Sequence, residues 1–214
     1  CKIKLAQELI CMKNVHLTTP LPVERVKALE AGDFLSITGR AMTCRPLAYD
    51  RLLNSKEGEA VGRQLRNLGI EILFHCGPLI KKEGEEWKIL GMVPMPSWLA
   101  GPERISKAVE LLGLKIIIGK GSLQALSDFC VKSSCVHVVC AGNYNEYALK
   151  VTKVLEGHWL DLGLPEAMWI FEANEFGPFI VDTDTKGNSL YKGVDEIFKA
   201  EAGSLLDELG IKLD

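Results

Sequence analysis

The sequence predicts an α/β fold in which a mixed sheet is flanked by helices. Three observations carry that expectation. Short apolar runs rich in β-branched residues (33–38, 70–75, 114–118 and 135–140) alternate with stretches of helical spacing. Proline stands at the start of several of those stretches and glycine just past the end. The chain has 214 residues, 47% of them apolar, enough to bury one core. A single domain over residues 1–214 is the expected organisation.

Taken in order, residues 5–12 have the spacing of a short amphipathic helix, and residues 15–19 read as extended up to Pro20. A short helix is expected over 22–30, with Gly32 beyond it. Residues 33–38 alternate with period two and predict a strand, with Gly39 and Arg40 as a turn. Pro46 sets φ for a helix over 47–53 and leaves Arg45 at its N-terminus. The spacing predicts a helix over 57–68, closed by Gly69. Residues 70–75 follow as a strand that ends in a sharp Cys76-Gly77-Pro78 turn. A polar segment (81–88) and an irregular, proline-rich one (91–101) come next, then a helix over 102–112 closed by Gly113. The strand 114–118 runs into Gly119-Lys120-Gly121, and Ser122 is placed to cap a helix over 123–129. Further expectations are a buried strand over 135–140, a helix over 144–155, a last strand over 179–182, and a C-terminal helix over about 194–209.

Acidic residues (28) outnumber basic ones (25), which gives no footprint for nucleic acid or an anionic membrane surface. No apolar run approaches the roughly 20 residues of a membrane helix, and no secretory signal is read. Seven cysteines, at positions 1, 11, 44, 76, 130, 135 and 140, form an odd, unpatterned set. That usage predicts free thiols in a reducing cytoplasm.

Two places can hold an anion. In Gly119-Lys120-Gly121 a cation stands between two glycines that let a ligand approach the backbone, at a strand end and before a helix start. Arg45 is the second cation at a helix start. The alternative for the lysine is a plain turn with a solvated side chain. Cys130, Cys135 and Cys140 invite a metal reading. However, positions 135 and 140 lie an odd number of residues apart on one strand and face opposite sides of the sheet, so buried free thiols are the better reading and no metal ligand is assigned. His16, His137 and His158 read as structural histidines. His75, beside the Cys76-Gly77-Pro78 turn, is the one placed near a site.

These pieces also stand in a known order: 15–21, 29–33, 39–51, Cys76-Gly77-Pro78, Ile118-Gly119-Lys120-Gly121, 165–169 and 184–189. From about residue 15 to 191 the chain resembles the β subunit, or C-terminal domain, of iron–sulfur (class I) fumarate hydratases and L-tartrate dehydratases. The resemblance implies a swivelling β/β/α domain and a hydro-lyase that adds or removes water at a 2-hydroxy acid. It implies a [4Fe–4S] cluster held by a separate α subunit as Lewis acid, with none bound by this chain alone. The partners implied are that α subunit and a small carboxylate substrate, with a second copy of the chain left open. It further implies that Thr43, Arg45, Cys76, Gly77, Pro78, Gly119, Lys120 and Gly121 bind substrate, with Tyr49 and Ser97 at the catalytic positions. Pro46 and Tyr49 replace the family's Asp and His. Pro94, Met95, Pro96, Trp98 and Leu99 stand in the segment that in the family supplies threonines and a second arginine, a role for which Arg104 is the nearest substitute. The alternative is a family member that has lost the chemistry and serves as a carboxylate-binding or regulatory domain.

Overall fold

The computed structural model describes residues 12–123, 127–192 and 202. Its first half runs β1 (Asn14–Thr18), α1 (Val23–Lys27), β2 (Phe34–Thr43), α2 (Pro46–Asn54), α3 (Lys56–Asn67), β3 (Ile72–Phe74), β4 (Cys76–Glu83) and β5 (Glu86–Pro94). A 3₁₀ turn (Ser97–Leu99) leads to α4 (Pro102–Leu112), β6 (Ile116–Gly119), α5 (Ser127–Ser133), β7 (Val136–Cys140) and α6 (Tyr144–Leu149). The long antiparallel strands β8 (Val151–His158) and β9 (Met168–Thr183) follow.

Strands β1, β2, β3, β6 and β7 pair in parallel, while β9 runs antiparallel to β2, β7 and β8. Because β9 pairs with both β2 and β7, the sheet closes on itself through β2-β3-β6-β7-β9. The two faces of each strand feed two cores. Ile72, Phe74, Ile116, Ile118, Val136 and Val138 point to one, while Leu73 and Ile117 point to the other. Ala48, Tyr49, Leu52, Leu65, Ile105 and Ala108 from α2, α3 and α4 cover the second core. The first is aromatic: Phe74, Tyr147, Phe176 and Phe179 pack with ring centroids 5.2–6.3 Å apart, within the range of favourable ring contacts. Cys135 lies in the helix-covered core and Cys140 packs against the aromatic one, so strand alternation does separate them.

Several local expectations fail for identifiable reasons. Gly39 is no turn. β2 runs through it at φ 136° because Thr19 presses on it, with Oγ1 1.9 Å from where a Cβ would stand. Cys76-Gly77-Pro78 likewise opens a strand. β4 pairs antiparallel with β5 from Cys76↔Pro94 to Glu83↔Glu86, so the polar and irregular segments are the two arms of one hairpin. The helix expected to reach residue 155 stops at Leu149, because Val151, Thr152 and Val154 belong to a strand paired with β9. The expected last strand is only the end of β9. Apart from residue 202, the expected helix over residues 194–209 lies outside the described residues, as do positions 5–11 and 124–126 of the other two. Ser122 Oγ is buried and has no hydrogen-bond partner among the described residues.

Candidate functional site

Three neighbouring parallel strands end together. Thr43, Phe74 and Ile118 stand in register across β2, β3 and β6. Arg45, Cys76 and Lys120, each two residues further on, therefore emerge side by side at the carboxyl edge of the sheet. Two strand spacings separate the outer pair, about 10 Å of backbone. Ligands of α/β sheets bind outside this edge.

Arg45 is held extended ahead of Pro46, at the N-cap of α2. Its guanidinium rests on Gly77, where a Cβ would stand 2.4 Å from Nη1, so glycine at 77 is what lets the cation down onto β4. Glu166, just before β9, fixes the other side, with Arg45 Nε 2.7 Å from Oε1. The distance is that of an ion pair, but the geometry is not that of a hydrogen bond: Arg45 Nε and Glu166 Oε2 are both buried with no hydrogen-bond partner among the described residues. Lys120 is exposed, and its ammonium makes no ion pair or hydrogen bond with the described residues. Its backbone is fixed instead. Pro96 bridges it, and Ser97 N–H donates to its carbonyl at 3.2 Å.

Beneath this edge runs a buried chain of hydrogen bonds that sequence reasoning missed. Tyr49 Oη is 2.8 Å from His75 Nε2, His75 Nδ1 2.9 Å from Ser97 Oγ, Ser97 Oγ 2.8 Å from His137 Nε2, and His137 Nδ1 2.9 Å from Asp182 Oδ2. All five side chains have no solvent exposure. The protons follow from the ends. The Asp182 carboxylate only accepts, so His137 donates through Nδ1 and accepts from the Ser97 hydroxyl. Ser97 in turn accepts from His75 Nδ1–H, and His75 accepts the Tyr49 proton. Burial alone would raise the Asp182 carboxyl, but the hydrogen bonds from His137 Nδ1–H, Leu123 N–H and the Thr183 hydroxyl hold it below the usual carboxylate value. Asp182 reaches His137 because the β7–β9 register slips between His137 and Val138.

The chain clamps the lysine loop on three sides. Gly119 abuts Ser97 Oγ, with 1.9 Å left for a Cβ; Ser97 N–H holds the Lys120 carbonyl; and Asp182 Oδ2 accepts from Leu123 N–H at 3.3 Å. His75 also ties the fold to pH. Burial and the neighbouring His137 lower its pKa from 6.5 to about 3. Between those values the unfolded chain carries a proton that the folded chain lacks, so stability rises with pH across that window and is complete above it. Urea unfolding at pH 4 and pH 7 should find the wild type losing stability on acidification by up to about 1.4 kcal/mol per pH unit from this group. His75→Gln should flatten that dependence. Equal slopes in the two proteins would remove His75 as the cause.

The residues expected at the site divide accordingly. Arg45, Gly77, Gly119, Lys120 and Gly121 are brought to the carboxyl edge. Thr43, Tyr49 and Ser97, expected to meet substrate, are fully buried instead. Thr43 Oγ1 accepts from Trp169 N–H at 3.1 Å and ties β9 to β2, whereas Tyr49 and Ser97 are links in the buried chain. Cys76 is buried, its thiol raised by desolvation, and Pro78 is buried as a member of β4. Arg104 is not available either: Nε and Nη2 clasp Asp50 at 2.7 and 3.0 Å, and Nη1 donates to Ala100 O. His137, Asp182 and Glu166 are the functional candidates that sequence reasoning passed over. The only signal for the first two is a polar residue set inside an otherwise apolar strand.

No group of three or more His, Cys, Asp or Glu among the described residues could hold a metal. Cys44, Cys76, Cys130 and Cys135 are buried, with thiols pushed up mainly by desolvation. A cluster needs thiolates gathered at one point, and this set does not fit one. Among the described residues no helix is long and apolar enough to cross a membrane.

Comparison with known proteins adds to this geometry. The family model described as Fumarase C-terminus matches residues 3–194. The chain is 32% identical over 201 residues to the L(+)-tartrate dehydratase subunit beta of Escherichia coli (strain K12), covering 92% of this chain and 96% of that one. It is 30% identical over 178 residues to the putative L(+)-tartrate dehydratase subunit beta of Methanocaldococcus jannaschii, covering 80% and 88%. It is 26% identical to the putative fumarate hydratase class I of Geobacillus stearothermophilus over 85% of this chain, which spans only 34% of that longer protein.

Proposed function

Because the chain belongs to the Fumarase C-terminus family, we propose that it is the β component of a hydro-lyase that adds or removes water at a hydroxy acid. Relatives named as β subunits over nearly their whole length support an α subunit as its partner. The family implies an iron–sulfur cluster. The scattered, buried cysteines here support its residence on that α subunit, and no step of the chemistry is assigned to the cluster through this chain. Free thiols at all five described cysteines accord with a cytoplasmic location. The same reading takes the fold as a swivelling β/β/α domain that closes over the partner.

This chain's share is to grip and orient a carboxylate. The observation that carries it is the convergence of Arg45, on its Gly77 seat, and Lys120 at one sheet edge. Arg45 is aimed by Glu166 and offers a planar fork, while Lys120 adds a charge that is unpaired among the described residues, on a clamped loop. Tyr49, His75, Ser97, His137 and Asp182 act as positioning residues that hold that loop. Kinetics of the complex with its α subunit test this reading. Lys120→Ala should raise KM for the hydroxy-acid substrate about 10- to 100-fold, the worth of one charge-assisted hydrogen bond, with a smaller change in kcat. Lys120→Arg should recover part of the loss. An unchanged KM in Lys120→Ala would refute the assignment.

A further inference from the structure

We infer that the substrate of this site carries one carboxylate, attached to the carbon that loses its proton, with an uncharged, apolar far end. The inference rests on the hydro-lyase reading above and names its substrate class: a 3-hydroxy monocarboxylate, with or without a second hydroxyl at C2.

The first argument is a charge count at the carboxyl edge. Arg45 is offset by Glu166 at 2.7 Å. Arg104 is spent on Asp50 through two nitrogens, with its third on a backbone carbonyl. Among the described residues at this edge Lys120 alone brings an uncompensated charge, so this chain's described side of the site offers one net positive charge and suits one carboxylate. A second carboxylate would lose its water without finding a free cation among this chain's described residues.

The second argument is which residues stand next to the two cations along the chain and across the strands. Lys120 is bridged to Pro96, and the 3₁₀ turn that follows leaves Trp98 and Leu99 63% and 44% exposed. Val93, paired with the Gly77 on which Arg45 rests, is 54% exposed, and Leu47, one residue into α2, is 50% exposed. These side chains have only apolar surface or, in Trp98, one indole N–H to offer a far end of the substrate. An apolar rim of this kind beside the cations favours apolar groups over charged ones.

The third argument is the chemistry of elimination. The C2–H and C3–O bonds break, a C2=C3 double bond forms, and the proton and hydroxide leave as one water. The C2 proton is acidic enough only beside an electron-withdrawing group. With one carboxylate present, that group must be the carboxylate on C2, and the cations that bind it also stabilise the charge that develops there. The leaving hydroxyl therefore sits at C3, and the apolar substituent beyond it.

The test uses the complex of this chain with its α subunit. The probes are 3-hydroxybutanoate, 3-hydroxy-3-methylbutanoate and 2,3-dihydroxybutanoate, set against malate and tartrate. The best monocarboxylate should exceed both dicarboxylates in kcat/KM by about tenfold or more. Leu99→Arg should shift that ratio toward malate by a similar factor. Malate or tartrate as the best substrate would overturn the inference and leave the hydro-lyase reading intact. Turnover of none of the five would overturn both. If Leu99→Arg freed the chain from its partner on gel filtration, the apolar rim would be a subunit contact and the inference would fall.

Discussion

Asp182→Ala should destabilise the folded chain by about 3–5 kcal/mol, the cost of stripping one member from a buried, paired set. The carboxylate is fully buried and receives His137 Nδ1–H at 2.9 Å, Leu123 N–H at 3.3 Å, and the hydroxyls of Thr183 and Ser189 at 3.1 and 3.2 Å. Alanine leaves those donors facing a small cavity. The hydroxyls can turn elsewhere, but the imidazole and the amide cannot. The loss then propagates, because an unanchored His137 no longer has its Nε2 fixed as the acceptor for Ser97. Asp182→Asn keeps the volume and one acceptor oxygen, so it should cost about half as much. Urea unfolding at pH 7 measures both. A loss below about 1 kcal/mol for Asp182→Ala would mean that water replaces the carboxylate and that the chain is not a structural element.

Gly119→Ala is the second large effect, about 2–4 kcal/mol from overpacking together with broken hydrogen bonds. The new methyl would stand 1.9 Å from Ser97 Oγ and 3.3 Å from His75 Nδ1. Ser97 cannot step aside cheaply, since its hydroxyl joins two histidines and its N–H holds the Lys120 carbonyl. Relief must therefore move the lysine loop, and carboxylate affinity should fall along with stability. The contact with Ser97 can be isolated. In a Ser97→Ala background the oxygen is gone, and the same glycine substitution should cost at least about 1 kcal/mol less than in the wild type. Strict additivity of the two changes would show that the clash is relieved elsewhere.

Much of the fold was legible because local signals reported it faithfully. Pro46 and Pro102 start helices, and Gly113 ends one at φ 72°, as their fixed or permissive φ requires. The parallel strands β3, β6 and β7 are apolar on both faces, and they were recognised for that reason. The misses are as physical. Gly77, Pro78, Gly91 and Pro94 read as breakers, but in the β4–β5 hairpin they lie in a two-stranded sheet of its own, where a missing N–H is tolerated. The start of β8, residues 151–155, has helical spacing in the sequence because a short apolar run has no decisive period. The front of β9 was passed over because Met168 to Phe171 are all buried and show no alternation.

By itself, then, the sequence determined the parallel strands β2, β3, β6 and β7, the helices between them, and the two cations that stand at strand ends, since these follow from residues only a few positions apart. It could not determine which polar groups meet. His75, Ser97, His137 and Asp182 lie on four separate stretches of chain, and they join only because β3, β6, β7 and β9 pair in one register with one slip. The same holds for Arg104, whose partner Asp50 comes from a helix earlier in the chain. Periodicity reports whether a face is buried. A hydrogen bond needs two atoms within about 3 Å, and for residues so far apart in sequence only the closed sheet and the helices packed on it set that distance.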